Sequence, residues 1–359
     1  MTVNRPQPPR HSNRSSSSSE IAPKPYAFVS FPTQRPNLQH PAGHDKYKSD
    51  RIHGTLFLTL HVQTALHVST GVVAMGSDIG NNRISLIKTM VQGIDNKLSI
   101  QGSSLKGCIR SVYEAITNST LAVITNKYRD KIPQERLPCR KKEELCPASQ
   151  VFGALDWQGL IQFSDATCES TGFSTGFMPS LYAPRTERTA YYTKGKVAGR
   201  KFYYHTIRAI DKGQDRGIPV QQAAKEYTFT TQLQFKNLQP AELGTLFIVL
   251  GQDPNYPIAL KVGGGKPIGM GSMTVTINQI NAFTDSQELA KELKLPKFCD
   301  RYSSYHPSES DSLTGKSLTE FIPKMVKSAH AKLIQKPQLE ELTQVLRYPT
   351  HREPPSGMY

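Results

Sequence analysis

Apolar and polar residues alternate along several segments of the chain with the period of two that is typical of β-strands. The predicted strands cover residues 55–68, 84–87, 98–100, 159–166, 227–238 and 273–280. A glycine-containing loop is predicted between the first two of them, from Ser69 to about Asn82. Alternation of this kind gives each strand one face for a core and one face for solvent.

Helical spacing of apolar residues appears in three parts of the chain. Residues 103–117 predict a helix, and residues 241–250 predict a shorter one with Pro240 near its start. Residues 286–347 predict a helical C-terminal extension that is interrupted near residues 296–311 by Pro and Ser. The apolar face of the first helix carries Leu105, Ile109, Val112 and Ile116.

The order of these elements is strand, helix, strand, strand, helix, strand, which is the order of a β-α-β-β-α-β unit. We therefore predict an α+β fold with a ferredoxin-like (RRM-like) core over residues 54–283. Insertions are predicted at about residues 120–148 and 168–216, where polar and irregular sequence separates the core elements. The helical extension then covers residues 284–359.

The chain before the core divides into two predicted arms. Residues 1–24 are low-complexity Pro, Arg, Asn and Ser, which predicts a disordered arm. Residues 25–53 remain Pro-rich but carry Tyr26, Phe28 and Phe31. Because a free linker has little use for aromatic rings, we predict an extended arm that docks on a surface.

The net charge of the chain indicates the class of partner that it binds. Its 359 residues include 44 Lys and Arg against 29 Asp and Glu, a formal net charge of +15 with a pI near 9.5. Such an excess suits a polyanion, because cations that neutralise phosphates release condensed counterions. No run of about 18 apolar residues and no separate basic amphipathic helix is present, so a membrane is not a predicted partner.

The cysteines indicate the compartment. Five of them, an odd number, are spread widely, which favours a reducing compartment over a disulfide framework. The N-terminus also lacks the apolar stretch of a signal peptide, so we expect a cytoplasmic protein. Cys139, Cys146 and Cys168 are candidates for zinc binding, but no closely spaced Cys or His pair is present, and structural thiols are the favoured interpretation.

The first predicted helix opens with the sequence GSSLKGCIR, Gly102–Arg110. With Ser103 or Ser104 as N-cap, free backbone N–H groups and the helix dipole would form an anion site. Lys106 and Arg110 lie four residues apart on one face, where both can reach a phosphate backbone. The alternative is a well-capped helix with two solvated cations. The glycine spacing excludes a Walker loop.

A second glycine-rich motif, GGGKPIGMGS, begins at Gly263. Gly264, Gly265 and Lys266 are predicted to contact RNA phosphates, since a glycine loop with an embedded cation can approach them closely. A flexible turn is the alternative interpretation.

The segment from Arg185 to Arg216 combines nine Lys and Arg residues with five aromatic rings. Cations along a sugar-phosphate chain and rings that stack on bases are the two requirements of single-strand binding. The His205 ring is expected either to stack on a nucleotide or to pack inside the protein. The predicted RNA contacts of this segment are Arg185, Arg188, Arg200, Lys201, Tyr203 and His205.

The motifs GSSLKGCIR, CPASQVFG followed by GLIQFSDA, GGGKPIGMGS, and GRKFYYH with PYAFV together resemble the RAMP superfamily of CRISPR effector proteins. The resemblance covers about residues 25–283. It implies a backbone-type subunit of a type III complex that grips guide RNA. The implied partners are guide RNA, target RNA, other effector subunits of the same superfamily and a large signature subunit.

The resemblance also implies a thumb and a catalytic residue. The segment from Cys168 to Tyr203 is the candidate for a thumb-like hairpin. Backbone subunits of the family carry an Asp after the first strand that promotes metal-dependent cleavage of target RNA. Asp78 is the matching residue here and Asp95 the second choice, with Mg²⁺ or Mn²⁺ as the metal. Asp78 is equally an ordinary residue of a turn.

Three alternatives remain open from the sequence. The chain could hold RNA without cutting it, or it could process guide RNA with His205 as the general base. The charge alone also allows a ribosome- or mRNA-associated protein, although that class leaves the motifs unexplained.

Overall fold

The computed structural model describes residues 25–181, 189–210, 217–297 and 312–355. A central antiparallel sheet runs through it, and two more short strands, β8 (Ile161–Phe163) and β18 (Ser312–Leu313), pair with strands of this sheet. From edge to edge its main strands are β16 (Leu260–Lys261), β17 (Ser272–Phe283), β2 (Ile52–Val62), β15 (Thr228–Leu238), β9 (Ala166–Thr171) and β5 (Lys97–Ile100).

The alternating residues of the sequence explain the two central strands. In β2 the apolar residues at every second position are buried, and β15 repeats this pattern beside it. Two helices, α1 (Gly102–Ile116) and α3 (Pro240–Val249), contribute their apolar residues to the same hydrophobic core. Burial of such faces supplies most of the stabilisation of a fold of this kind.

The connection of these elements confirms the predicted α+β class and ferredoxin-like core. Strand β2 precedes α1 in the chain, strands β8 and β9 follow α1 and pair with β15, and α3 lies between β15 and β17. The side-by-side order β17, β2, β15, β9 results from long-range pairing, for example Leu58 with both Thr231 and Ile277.

The predicted loop from Ser69 to Asn82 is wrong, because most of this segment is ordered secondary structure. It contains strand β3 (Ser69–Met75) and a 3₁₀ turn, Gly76–Ile79. β3 pairs with β4 (Leu86–Met90) in a second, four-stranded sheet. The other two strands of that sheet are β10 (Ser174–Pro179), inside the predicted insertion, and β14 (Gly217–Gln222), directly after it. The sequence hides this sheet because β4 and β14, whose pairing joins its two halves, lie more than a hundred residues apart.

The N-terminal arm lies on the body of the protein as an added strand. Strand β1 (Tyr26–Ser30) pairs antiparallel with β13 (Gly199–Tyr203). Helix α6 (Lys336–Leu346) fixes the end of this strand, since Glu341 accepts hydrogen bonds from the Ser30 backbone N–H at 2.6 Å and from the Ser30 hydroxyl at 2.9 Å.

The segment predicted as a thumb-like hairpin does not form one hairpin in its described part. Its start belongs to β9 of the central sheet, its middle contributes β10 to the second sheet, and its end is β13 against the arm. In the described part of the segment, only the two-residue strands Tyr192–Thr193 and Lys196–Val197 pair with each other, and its longer strands pair with partners outside the segment. Residues 182–188 lie outside the described residues.

The remaining elements are short strands and the C-terminal helices. Among the described residues, no helix combines the length and the hydrophobicity that crossing a bilayer requires. The other elements are α2 (Pro147–Phe152), β6 (Gly153–Ala154), β7 (Trp157–Gln158), β11 (Tyr192–Thr193), β12 (Lys196–Val197), α4 (Gln287–Leu293), α5 (Gly315–Lys332) and 3₁₀ turns at Asn126–Lys131, Gln134–Arg136, Thr189–Tyr191 and Lys266–Ile268.

Candidate nucleic-acid interface

The start of α1 is capped by the protein itself. The helix begins at Gly102 with Gln101 as N-cap, so the prediction of Ser103 or Ser104 as N-cap is wrong. The Gly102 backbone N–H donates to the Asp165 carboxylate at 2.7 Å. A carboxylate at this position interacts favourably with the helix dipole. The N-terminus of α1 therefore already has an anionic partner beside the N–H groups predicted to bind phosphate, and its cue in the sequence was the Asp of GLIQFSDA.

Lys106 and Arg110 both bond to neighbouring parts of the protein. The Lys106 ammonium donates to the Ile161 carbonyl at 3.0 Å. Burial, and secondarily the charge of Arg110, lower the pKa of Lys106. An ammonium has three N–H donors, so Lys106 retains donors for a phosphate.

Two N–H groups of the Arg110 guanidinium are hydrogen-bonded to other side chains. Its Nε donates to Glu114 at 2.8 Å and its Nη2 to Ser149 at 3.3 Å. This guanidinium joins α1 to α2, and the alternative of two solvated cations does not describe it.

The outward side of α1 is a stripe of small residues, Ser103, Gly107 and Ser111, spaced four apart. All three are exposed, and a Cβ placed on Gly107 would meet no described atom within 4 Å. We call these three residues the outer stripe of α1. An extended chain can approach the helix backbone closely here, because no large side chain stands in the way.

Strand β16, which leads into the glycine-rich loop, lies against the middle of α1. The Cys108 thiol donates to the carbonyl of Lys261, two residues before the loop, at 3.4 Å. A Cβ on Gly269 would overlap the side chain of Thr206 and the carbonyl of Arg208. Gly264 donates its N–H to the His67 carbonyl at 2.8 Å. Tight packing of this kind excludes the flexible-turn interpretation.

The charge of Lys266, in the glycine-rich loop, acts on residues of two other sequence motifs. Burial raises the pKa of the Cys108 thiol, and the positive charge of Lys266 opposes that effect. Burial also raises the pKa of Tyr203, and Lys266 again acts in the opposite direction. The charge of the half-exposed Lys266 therefore acts on a thiol of α1 and on a phenol of β13, two elements that lie almost a hundred residues apart in the sequence.

The two cations of β13 point to opposite faces of the strand. The Lys201 ammonium lies 3.9 Å from the ring centroid of Tyr26, 4.8 Å from that of Tyr203 and 5.6 Å from that of Tyr191. This outer face combines a cation with partly exposed rings, as single-strand binding requires. Tyr26 also belongs to this face and was not predicted as an RNA contact, although the aromatic rings of the Pro-rich arm were a signal.

Arg200 faces the interior, which corrects its predicted role as an RNA contact. Its side chain is 8% exposed and lies 3.7 Å from the Glu114 carboxylate. It donates to the Ser119 and Thr120 carbonyls, each at 3.1 Å. Phe31 of the arm packs on its guanidinium at 5.4 Å. The alternation of β13 and the pairing with β1 decide that Arg200 is inside and Lys201 outside.

His205 is a packed histidine and does not stack on RNA. It is 1% exposed, with Nδ1 at 2.8 Å from the Ser272 hydroxyl and Nε2 at 3.1 Å from the Ala259 carbonyl. Burial, assisted by the charge of Lys261, lowers its pKa to about 3. A buried ring with both nitrogens engaged cannot reach a substrate, so the guide-processing alternative loses its proposed base. Arg185 and Arg188 lie outside the described residues.

The two candidate catalytic carboxylates occupy separate exposed turns. Asp78 lies in the 3₁₀ turn after β3, where its carboxylate accepts from the Met75 N–H at 3.2 Å. Asp95 accepts from the Lys97 N–H at 3.2 Å in the turn before β5. Within the described part of the chain, no group of three or more His, Cys, Asp and Glu residues could hold a metal ion.

Cys139 and Cys146 lie beside each other around Thr120. The Thr120 hydroxyl is 3.5 Å from the Cys139 sulfur and 3.2 Å from the Cys146 sulfur. Cys168 is on β9 of the central sheet. These positions agree with structural thiols, the interpretation favoured by the sequence.

Comparison with known proteins gives one family match. The model of the RAMP superfamily matches residues 59–274, which is more than half of the chain. No curated protein matches. Among solved structures, the cryo-EM structure of the type III-B Cmr-beta bound to cognate target RNA is similar at 14% identity and a TM-score of 0.34. The similarity covers 65% of this chain, and it spans only 61% of the length of that chain.

Proposed function

Because this chain belongs to the RAMP superfamily, we propose that it binds guide RNA as a backbone-type subunit of a type III CRISPR effector complex. The observation that carries the proposal is the packing of the glycine-rich loop between α1 and the segment after β13. Next to this loop the Cys108 thiol donates to the Lys261 carbonyl at 3.4 Å, and in it the Ile268 carbonyl accepts from the Ile210 N–H at 2.9 Å. Target RNA, further subunits of the superfamily and a large signature subunit are the other partners that the proposal includes.

The proposed path for the RNA follows three neighbouring features. The outer stripe of α1 lets the sugar-phosphate chain approach, and Lys266 and Lys106 supply positive charge beside it. The rings and the cation on the outer face of β13 then offer stacking surfaces for bases. The net charge of +15 supports the same class of ligand.

Replacing Gly107 by glutamate is expected to weaken binding of single-stranded RNA about tenfold, since it places a negative charge against phosphates. A Cβ at this position meets no described atom, so the fold should be unaffected. Lys266→Ala should weaken binding to a similar degree and reduce the salt slope by about one. Fluorescence anisotropy with a labelled 12-mer, measured across a salt series, provides both values.

Thr319→Glu is the matched control, because it makes the same charge change at an exposed position of α5. Its affinity should stay within about twofold of the wild type. If Gly107→Glu and Thr319→Glu weaken binding equally, net charge alone acts and the proposed path is wrong.

We further propose that Asp78 promotes metal-dependent cleavage of the target RNA. Its carboxylate is exposed at the end of a hairpin, and carboxylate oxygen is the ligand that Mg²⁺ and Mn²⁺ prefer. Asp78 would supply one oxygen ligand, and phosphate oxygens of the RNA would complete the set. The metal, when bound, would stabilise the charge that develops on the phosphate.

The sharpest test is Asp78→Asn in the reconstituted complex with Mg²⁺. Asparagine keeps an oxygen for the Met75 N–H, so it preserves the turn while removing the charge. We expect one specific cut of the target RNA to slow about a hundredfold or more, with target binding intact. Asp95→Asn is the parallel variant for the second candidate. An unchanged cleavage pattern in both variants would assign this chain a scaffold role without catalysis.

A further inference from the structure

A cavity of about 330 Å³ opens at the far end of α1 from the outer stripe. Its walls come from the arm, the starts of α2 and α3 and the turn between α5 and α6. With 15 residues in α1, the helix start lies about 22 Å away. Ser111, the last residue of the outer stripe, lies about 8 Å along the helix from its end, so the cavity lies just beyond the stripe. Its lining is dominated by side-chain carboxamides, which belong to Gln34, Asn37, Gln39, Asn118, Gln150, Gln239 and Gln335.

The wall formed by the arm is fixed by the protein. The buried Arg136 donates to the carbonyls of Pro32 and Gln34. Asn118 donates to the Arg35 carbonyl at 2.9 Å, and its own oxygen accepts from Arg136 at 2.7 Å. The cavity is thus built between pieces held in place, as a preformed binding site requires.

Several of the lining carboxamides keep unused hydrogen-bonding atoms. Within the described residues, the side chains of Gln34, Asn37, Gln39 and Gln335 make no hydrogen bond. Gln150 is 9% exposed, and its amide N–H donates to the Leu145 carbonyl at 3.1 Å while no described group donates to its oxygen. An oxygen that lines a cavity and has no described donor can accept from a ligand with N–H groups.

Glu242 adds a second acceptor to the same cavity. One of its oxygens accepts from the Gln239 N–H at 2.7 Å, and Arg51 lies 3.8 Å from that oxygen. The other oxygen has no described donor. Burial raises the pKa of Glu242, while the Gln239 N–H and the Arg51 charge lower it. The cavity therefore presents at least two acceptors inside and carboxamides with both donors and acceptors at its rim.

We propose that this cavity binds a nucleobase that carries an exocyclic amine, with adenine preferred. One carboxamide can donate to a ring nitrogen of adenine and accept from its amino group at the same time. Uracil has no exocyclic amine to offer the Gln150 and Glu242 oxygens. The exposed Lys332 at the rim can pair with the phosphate of the same nucleotide.

The natural source of the base, on this proposal, is an unstacked nucleotide of bound single-stranded RNA, since such bases are read by their edges. In this respect the inference rests on the proposed function, while the chemistry of the cavity stands by itself. A free mononucleotide offers the same chemistry, and the experiment distinguishes the two sources.

The test compares two labelled RNA 12-mers, one of uridine alone and one with adenosine at three positions. The full chain is expected to bind the adenosine-containing RNA about tenfold more tightly. The double variant Asn37→Ala with Gln335→Ala should remove that preference without changing the affinity for the uridine 12-mer. Both residues can be replaced safely, because their side chains hold no described hydrogen bond. Gln344→Ala, an exposed amide of α6 outside the cavity, is the matched control and should keep the preference.

AMP and UMP are added as competitors in the same assay. If AMP but not UMP abolishes the preference for adenosine, the cavity also accepts the free nucleotide. Equal affinity for the two 12-mers, without AMP binding, would overturn the inference and leave the proposed RNA binding intact. If neither 12-mer binds, the proposed function fails. AMP binding that the double variant loses would then still support the cavity, and no AMP binding would overturn it.

Discussion

Replacing Arg200 by alanine is expected to lower the free energy of unfolding by about 3–5 kcal/mol, because it leaves Glu114 buried with less compensation. The Glu114 side chain is 7% exposed, and only Arg110 would remain as its ion-pair partner among the described residues. The Thr120 carbonyl would lose its donor, and the Ser119 carbonyl would keep only the longer bond from Arg136 at 3.4 Å. Phe31 would lose the nearer of its two cations and keep Arg136 at 5.7 Å. Urea unfolding at pH 7 measures the loss.

Lys201→Ala is the matched control, since Lys201 is the next cation of the same strand on the opposite face. Its loss should cost about 1 kcal/mol, the scale of partly exposed cation–π contacts. If the two variants lose the same stability, the distinction between the inner and outer faces of β13 is wrong.

The deficit of the Arg200 variant should also depend on pH. Burial raises the pKa of Glu114, and the charges of Arg200 and Arg110 oppose that effect. A carboxyl whose pKa is raised on folding stabilises the fold at acid pH, and this contribution is lost as the pH rises through the folded-state pKa. Without Arg200 that pKa rises further. The deficit should therefore be largest near neutral pH and should shrink toward pH 4.

Lowering the pH from about 6.5 toward 3 is expected to remove on the order of 4–5 kcal/mol of stability through His205 alone. Its pKa falls from 6.5 to about 3 on folding, chiefly by burial and then by the charge of Lys261. A histidine with a lowered folded-state pKa contributes stability that is present above its unfolded pKa and lost as the pH falls. The ring is 1% exposed, so solvent screening does not reduce the effect.

The measurement is urea unfolding of the wild type and of His205→Gln at several pH values between 7 and 3.5. Glutamine keeps a donor and an acceptor but does not titrate, so the variant should be less stable at pH 7 and should lose less stability on acidification. Burial also lowers the pKa of His53 and His67, and their contributions remain in both proteins. Identical pH slopes would contradict the assignment to His205.

Lys261 should also cause stability to fall as the pH is lowered, but over a higher pH range than His205. Burial, with a further effect of the charge of Lys266, lowers its pKa to about 7. Its contribution to stability is complete above an unfolded-state value of about 10.5 and declines as the pH falls toward 7. The glycine-rich loop therefore lies above a buried amine whose charge state changes near neutral pH.

The sequence by itself determined the central sheet and the helices packed on it. Alternation in β2, β15 and β17 and helical spacing in α1 are properties of consecutive residues, and each pattern has one stable way to bury its apolar face. The sequence also indicated the glycine-rich loop, because its composition favours close packing against whatever lies beside it.

Tertiary structure decided which of the predicted contact residues can meet a ligand. Arg200 and Lys201 are adjacent cations, and only the pairing of β13 with an arm more than 170 residues away places one inside and the other outside. His205 looked equally available in the sequence, yet contacts from Ala259 and Ser272 bury it. The second sheet and the amide-lined cavity likewise depend on residues far apart in the chain. The pattern of neighbouring residues determines whether a segment forms a helix or a strand. The exposure of its side chains depends on long-range contacts that a single sequence does not specify.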